Sequence, residues 1–426
     1  GYKVLVSLDF GTTNLAELEL ARSYKMKTVV IDHHYVGEIE NNADIFINPW
    51  DDESVFGGGR LCTSGLTYII LDSYKPLRQR QAAFPSDELL ALATLGTICD
   101  VVPLEGLNRC LAKKGLLALA QSKSPGIRAL REICDIEDVL SYDVAFRIGP
   151  AINAAGRMKT GDLAFKLLTA TNSEMAYKIA GQLIDLNEER KSEVLRILET
   201  AETTVFKKDE LPDGIVVWAE EFSIGVVGIV AQRLVERFRK PAAVFGKTLD
   251  GAFGGSLRTV EGVSIINILN ELRPILIRGG GHAMAGGCLV RPEDMEEFAR
   301  AFDAKCKEKI GTKIFEPAFD ADLEIRLDDI SVELVQGLRA LEPFGAANPV
   351  PRFLLRNLKI GDIKRLRDEH LFLTVSNGEL VYPAVLWRLR NHEHIQIGDT
   401  VDTTCTPYIN KQGKVQLSVE GIRKKT

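Results

Sequence analysis

The 426 residues carry 45% hydrophobic and 26% charged side chains with a formal charge of −6, the balance of a globular chain long enough for about three domains. That charge excludes a globally basic nucleic-acid coat, so a polyanion would have to be met by local basic patches and metal ions. Seven cysteines, odd in number and without a Cys-x-x-Cys pair, argue against a disulfide framework or structural zinc and point to a reducing cytoplasm, while no run of about 18 apolar residues predicts a membrane span and no signal peptide precedes the first strand.

In chain order, the first predicted strand is Val4-Leu5-Val6-Ser7-Leu8, ending at Asp9-Phe10-Gly11. A Gly-Thr-Thr-Asn turn, a helix over about Leu15 to Ser23 and a second run, Thr28-Val29-Val30-Ile31, lead to Asp32-His33-His34. Parallel strands joined by such a crossover bring their carboxyl ends side by side, where open α/β sheets place their sites. Asp9 and the Asp32-His33-His34 cluster should therefore face one pocket. A carboxylate with two imidazoles suits Mn²⁺, with Mg²⁺ or Zn²⁺ as alternatives; the plainer alternative is a capping aspartate and two surface histidines. Asp9 weighs against that alternative, because acids and imidazoles converging without a cation would repel or be desolvated. The chain opens with Gly1 almost on top of a buried-looking strand, so an upstream element is expected.

Ile45-Phe46-Ile47 reads as a further strand, and Ser86-Asp87-Glu88 as the cap of a helix running through Leu89-Leu90-Ala91-Leu92. Asp100 is a lone acid in Thr97-Ile98-Cys99-Asp100-Val101-Val102-Pro103, either a ligand or the last residue of a helix before a proline. In Gly149-Pro150-Ala151-Ile152-Asn153-Ala154-Ala155-Gly156-Arg157, Asn153 and Arg157 stand at i and i+4 with small residues between them. That spacing fits a flat anion on the backbone, or equally a close helix crossing. Residues 1–170 thus form a doubly wound parallel-sheet α/β domain. Over 171–210 the apolar spacing predicts one long connecting helix.

A smaller α/β domain is expected over 211–312, with strands at Gly214–Trp218, Ala242–Phe245 and near Phe253 and a helix from near Gly225 to Phe238. Two of its segments are dense in glycine, Gly254-Gly255-Ser256-Leu257-Arg258-Thr259 and Gly279-Gly280-Gly281-His282-Ala283-Met284-Ala285-Gly286-Gly287. They read as phosphate-cradling loops, with flexible turns or tight packing as the alternative. From about Phe319 the pattern turns to strands, including His370–Val375 and Lys414–Val419, and predicts a small β-barrel of OB type over 313–426. Residues 351–426 hold 13 Lys or Arg against 8 Asp or Glu, making this the basic part of an acidic chain. His392 and His394 read as an exposed turn.

Asp9-x-Gly11, Asp32-His33-His34, Asp100, the run Asn153 to Arg157, Ser256-x-Arg258 and Gly280-Gly281-His282-Ala283, in that order, resemble the DHH phosphoesterase superfamily. Leu341-Glu342-Pro343-Phe344-Gly345-Ala346-Ala347-Asn348-Pro349 and the β-rich tail narrow the resemblance to the RecJ family of single-strand-specific exonucleases. The resemblance implies a catalytic domain, a DHH-associated domain and an OB-fold, with the site in the cleft of the first two. It further implies two divalent ions, Mn²⁺ or Mg²⁺, that activate water and stabilise charge while single-stranded DNA is degraded from its 5′ end in repair and recombination. By matching motif, Asp9, His33 and Asp100 would hold metal, Asp32 would support the site, and His34 would contact the scissile phosphate. Asn153, Arg157, Ser256, Arg258, Gly280, Gly281 and His282 would hold substrate, Arg157 near the 5′ end.

The family's Asp-x-Asp-Gly strand end has no counterpart before Asp9, which predicts impaired metal binding in this chain. In the barrel, Lys364, Arg367, Arg388 and Arg390 would track the backbone; Trp387 and Tyr408 would stack bases or fill the core. A helicase and a single-strand-binding protein are the expected partners. The competing expectations are a phosphodiesterase for short oligonucleotides or cyclic dinucleotides, and a catalytically inactive single-strand-binding subunit.

Overall fold

The computed structural model describes residues 1–36, 40–50, 60–74, 86–158, 160–206, 210–311, 320–366, 370–387 and 395–425. The chain divides into two compact units, one made of Gly1–Pro150, Leu168–Tyr177 and Ala318–Thr426, the other of Ala151–Leu167 and Lys178–Pro317. Among the described residues no helix is long and apolar enough to cross a membrane.

In the first unit, β1 (Val4–Leu8), β2 (Lys27–Ile31) and β3 (Ile45–Ile47) form a parallel sheet in that order. The helix Leu15–Ser23 makes the crossover between β1 and β2. β2 is the central strand, and its Val30 and Ile31 are buried. Around Ile31 the helices Thr63–Ser73, Ser86–Cys99 and Gly106–Gln121 contribute Leu66, Leu90 and Leu111 to one apolar cluster, joined by Leu61. β1 is the outer strand, and its Val4, Val6 and Leu8 are exposed. Ser86 is the first helical residue, and its hydroxyl donates to Asp72 Oδ1. Glu88, in the same turn, accepts from Ser122 Oγ and Lys123 N, tying this helix to the end of the next.

The long helix spans Ser173–Phe206, 34 residues. Ala176, Ile179, Ala180, Leu183, Leu186, Val194, Ile197, Ala201 and Val205 are buried along one stripe at three- and four-residue spacing. In the second unit, β4 (Ile215–Ala219), β5 (Ala242–Lys247), β6 (Phe253–Arg258), β7 (Leu276–Gly281) and β8 (Ala285–Val290) form a sheet in the order β4-β5-β6-β8-β7. Only β4 and β5 run parallel. The helices Ile224–Phe238, Ile265–Glu271 and Met295–Ile310 share its core with Phe245, Phe298 and Phe302.

The chain then returns to the first unit. β9 (Leu323–Glu324) pairs with β10 (Phe353–Leu366), and β10, β11 (His370–Ser376), β12 (Val381–Leu386), β14 (Val415–Lys424) and β13 (Thr400–Ile409) close in that cyclic order. Strict alternation along β11 puts Leu371, Leu373 and Val375 inside this five-stranded barrel. Leu341–Pro349 is a strap that docks on the helical part of the same unit. Arg109 Nη2 donates to Leu341 O at 2.7 Å, Leu104 N to Ala346 O at 2.7 Å, and Ser141 Oγ to Glu342 at 2.9 Å.

Part of the basic charge of the barrel is paired within it. Arg356, Arg423 and Lys425 surround the buried Asp402, Arg352 pairs with Glu420, Lys424 with Asp399, and Lys364 with Asp362. Lys364 is largely exposed and pairs loosely with Asp362 at 3.6 Å. Arg367, Arg388, Arg390, His392 and His394 lie outside the described residues. Trp387, half exposed, and Tyr408 line a groove of about 870 Å³ in the first unit, together with Val101, Tyr142, Phe146 and Phe344.

Candidate functional site

The first site grows from strand register. Leu8 pairs with Ile31, and the ladder continues one step as Asp9 N donates to Ile31 O at 3.0 Å. On the other side Asp32 N donates to Ile47 O at 3.1 Å. The carboxyl ends of β1, β2 and β3 therefore stop side by side, and the residues that follow each strand share one crevice. Asp9 has φ +70°, a left-handed turn that ends the strand at that residue.

Asp32 is 1% exposed. Its Oδ2 accepts from Thr12 N (3.1 Å) and Thr12 Oγ1 (2.7 Å), and its Oδ1 from His33 N (2.7 Å), His34 N (3.3 Å) and His34 Nδ1 (2.7 Å). Burial alone would raise this carboxyl, but the Thr12 and His34 hydrogen bonds hold it at about 2. The same bond raises His34 above its ordinary value. Asp32 thus has little free valence for an ion; its geometry is that of a group that orients its neighbours.

His33 Nε2 lies 3.4 Å from Asp9 Oδ1 and 3.1 Å from Asp100 Oδ2. Asp100 directly follows the helix Ser86–Cys99, and Val101 beside it has φ +56°, an unusual setting for a β-branched residue and a mark of a constrained turn. Burial raises the Asp100 carboxyl, His33 works against that, and Asp9 adds to it. Asp9, His33 and His34 can each present a ligand atom, all within 4.8 Å of one another. Two carboxylates converging on one imidazole, with a second imidazole alongside, leave oxygen and nitrogen donors facing the crevice with a deficit of positive charge. That donor set fits a divalent cation of the Mn²⁺ or Mg²⁺ kind.

Two residues outside the sequence reading complete this site. Asn48, buried at the end of β3, donates to Thr12 Oγ1 (3.1 Å) and His34 O (2.9 Å), and Thr12 carries the Asp32 contacts. Asn48 was accessible to the argument applied to β1 and β2: Ile45-Phe46-Ile47 is a third parallel strand, so the residue after it enters the same crevice.

The second site lies in the second unit. Ser256 and Arg258 are two apart on β6 and share a face; Arg258 Nη1 donates to Ser256 Oγ at 2.9 Å. Gly228, on the helix Ile224–Phe238, passes beneath them: a Cβ there would lie 2.9 Å from Ser256 Oγ and 3.2 Å from Arg258 Nη2. Arg157 Nη1 donates to Gly225 O in the first turn of the same helix at 3.3 Å. Burial lowers Arg258, and Arg157 lowers it further. Arg190, on the long helix, is lowered by burial, by Arg157 and by Arg233, with Glu188 opposing. Positive charge is thus gathered around Arg258 and Arg190, an arrangement that suits an anion. Arg190 was missed in the sequence because it sits in a helix where an outward charged side chain is the ordinary expectation.

The glycine-dense segments are not free loops: the first lies in β6, and the second is a hairpin of β7 and β8 with its turn at 282–284. Gly254 to Arg258 pair on both sides, with β5 and β8, so their N–H groups belong to the ladder. A Cβ at Gly255 would lie 2.2 Å from the buried Phe245 ring, so tight packing explains this glycine. Gly255→Ala is expected to cost about 2 kcal/mol by overpacking, measurable as a lower denaturation midpoint of the second unit; an unchanged midpoint would refute it. Gly281 has φ +152° and no room for a Cβ against Ala285 O, and His282 N donates to Ala285 O, closing the hairpin. Ser256, Gly287 and Gly280 stand in one row across β6, β8 and β7. Gly287 and Gly280 are exposed, so the sheet beside Ser256 and Arg258 is bare backbone, open to close approach. Asn153 and His282 are exposed and make no described side-chain contact with Ser256 or Arg258.

Family models match in chain order: the DHH family N-terminal domain over residues 3–97, the DHHA1 domain over 213–308 and the RecJ OB domain over 321–421. The chain is 30% identical over 382 residues to the single-stranded-DNA-specific exonuclease RecJ of Bacillus subtilis, covering 88% of this chain and 48% of that one. It is 32% identical over 375 residues to the protein of the same name from Escherichia coli, covering 83% and 64%. The crystal structure of RecJ in complex with Mn²⁺ from Thermus thermophilus superposes with a TM-score of 0.82 at 26% identity, covering all of this chain and 62% of that one. The chain thus spans about half to two-thirds of the length of these relatives. With three domain models matched in order and the acid and histidine cluster assembled at the strand ends, the chain belongs to the DHH phosphoesterase superfamily and, within it, to the RecJ family.

Proposed function

We propose that this chain is a metal-dependent exonuclease that hydrolyses phosphodiester bonds of single-stranded DNA from the 5′ end. The observation that carries the reading is His33 Nε2 set between Asp9 and Asp100 at 3.4 and 3.1 Å, with His34 beside them. Asp9, His33 and Asp100 would hold manganese or magnesium, the ions bound in the related RecJ crystal structures. Bound there, such ions supply a Lewis acid and an activated water to phosphodiester hydrolysis. Asp32 keeps the histidine pair oriented, and His34, held protonated more strongly than an ordinary imidazole, is placed to offer a proton to a phosphate oxygen.

The arginines of the second unit serve phosphate recognition. Arg258, with Ser256, takes phosphate over the bare glycine face, and Arg157 joins it at a terminal phosphate, where a planar fork pairs two oxygens. Arg258→Ala is expected to raise KM for a 5′-phosphorylated single strand about tenfold or more while Mn²⁺ affinity stays unchanged. Equal loss on 5′-phosphorylated and 5′-hydroxyl strands would remove Arg258 from end recognition. Because the substrate is a separated strand, the reading places the chain in the cytoplasm beside a helicase that unwinds duplex and a protein that coats single strands.

The deciding experiment is manganese-dependent release of nucleotides from a 5′-phosphorylated single strand, with a duplex and a dinucleotide in parallel. Release from the long strand supports the reading. A rate confined to the dinucleotide would make this a phosphodiesterase for short oligonucleotides, and tight strand binding without turnover would make it a binding subunit.

A further inference from the structure

Beside the metal-binding histidines stands an aromatic and cationic stack to which the reaction assigns nothing. Tyr35 follows His34 directly, and its ring is 62% exposed. Trp50 meets it edge-on, with centroids 5.2 Å apart and planes at 87°. The Arg60 guanidinium lies 4.9 Å above the Trp50 ring. Three separate segments of the first unit thus converge on one indole.

That indole is also tied to the site. Trp50 Nε1 donates to His33 O at 3.0 Å, and Trp50 N donates to Asn48 Oδ1 at 2.9 Å. Asn48 Nδ2 in turn donates to His34 O at 2.9 Å. The carbonyls of both histidines are therefore gripped from the segment that follows β3, one by an amide and one by an indole. Indole N–H groups seek such a partner when the ring is partly buried.

We propose that Tyr35, Trp50 and Arg60 form a nucleobase seat attached to the metal cluster, in which Trp50 is also a positioning residue for His33. Tyr35 is the face that the base covers. An exposed tyrosine braced edge-on by tryptophan presents a fixed π surface, and base stacking on such a surface tolerates any sequence. Arg60 caps the indole and adds a cation beside a polyanionic strand. Tyr35 is the residue after His34, so its backbone stands about 3.8 Å along the chain from the cluster that a phosphate would approach. The seat rests on the functional reading above in one respect only, that the ligand is a single-stranded nucleic acid.

The test measures binding of a single-stranded oligonucleotide and of an abasic deoxyribose-phosphate oligomer of equal length, with Mn²⁺ affinity followed separately by the electron paramagnetic resonance of free Mn²⁺. Tyr35→Ala should weaken the base-bearing strand by about tenfold to a hundredfold, leave the abasic oligomer unchanged, and leave Mn²⁺ affinity unchanged. Trp50→Phe retains an aromatic wall but loses the N–H bond to His33 O. It should therefore leave strand affinity within about threefold while Mn²⁺ affinity falls about tenfold, the scale of an outer-shell loss.

Equal loss on both oligomers in Tyr35→Ala, or loss on neither, overturns the seat. Unchanged Mn²⁺ affinity in Trp50→Phe overturns the positioning role. Hydrolysis by the parent chain without any preference for base-bearing strands sinks the seat alone. Base-dependent binding without hydrolysis sinks the functional reading alone, and a parent chain that binds neither oligomer sinks both.

Discussion

Replacing His33 with alanine is expected to lower manganese-dependent release of nucleotides from a single strand by about a thousandfold, with the unfolding transition nearly unmoved. His33 lies within 3.4 Å of both Asp9 and Asp100, so its loss would remove a proposed ligand and the group that balances two carboxylates. A metal acting as Lewis acid is worth several kcal/mol at the transition state, and about 4 kcal/mol is a thousandfold in rate. The fold does not depend on the ring: Asp32 grips the His33 backbone N–H, and Trp50 its carbonyl, both of which survive the substitution. Mn²⁺ affinity measured on the same protein separates the two possible failures. A normal rate with normal Mn²⁺ affinity would show that the ion sits elsewhere.

Asp32→Asn is expected to do the reverse, costing about 3 kcal/mol of stability in the first unit and lowering its thermal midpoint by roughly 5–10 °C. Both carboxylate oxygens of the buried Asp32 accept from N–H or O–H donors. An amide offers one acceptor and aims its NH₂ at the donors on the other side. The pH dependence follows from the Asp32 carboxyl, held at about 2 against an ordinary 3.8. Its contribution, about 2 kcal/mol, is fully present above pH 4 and is lost as the pH falls from there toward 2. His34 works in the opposite direction. Raised by the same bond, it stabilises the fold below its ordinary value near 6.5, and that share is lost as the pH climbs through its elevated value. Denaturant midpoints taken across pH 2–9 should fall at both ends for the parent chain and stay flatter for Asp32→Asn. Parallel profiles would show that the Asp32–His34 bond does not form.

The elements near the first site were legible because their signals are local. Val4–Leu8 and Ile45–Ile47 form strands over the expected residues, and Leu15–Ser23 is the expected helix. Short apolar runs of three to five residues between turn signals leave little choice of period. The long helix extends from Ser173 to Phe206 for the same reason, since its buried stripe repeats over many turns. The glycine-dense segments misled because composition records flexibility but not neighbours. Gly255 is there because Phe245 occupies the space of its Cβ, and Phe245 reaches that place only once β5 and β6 pair. The same limit hid Arg190 and Trp50, each an unremarkable residue until distant segments close on it.

What the sequence determined by itself was the set of chemical groups and the strand ends on which Asp9, Asp32, His33 and His34 fall, since strand propensity and crossover geometry act over a few tens of residues. The tertiary structure decided what each group does. Asp32 and Asp9 are both acids at the ends of neighbouring parallel strands, yet one is 1% exposed with its oxygens saturated while the other faces the crevice open to a cation. That difference comes from Thr12, itself held by Asn48, closing on Asp32, and it is set by which side chains pack around a carboxylate rather than by its place in the chain.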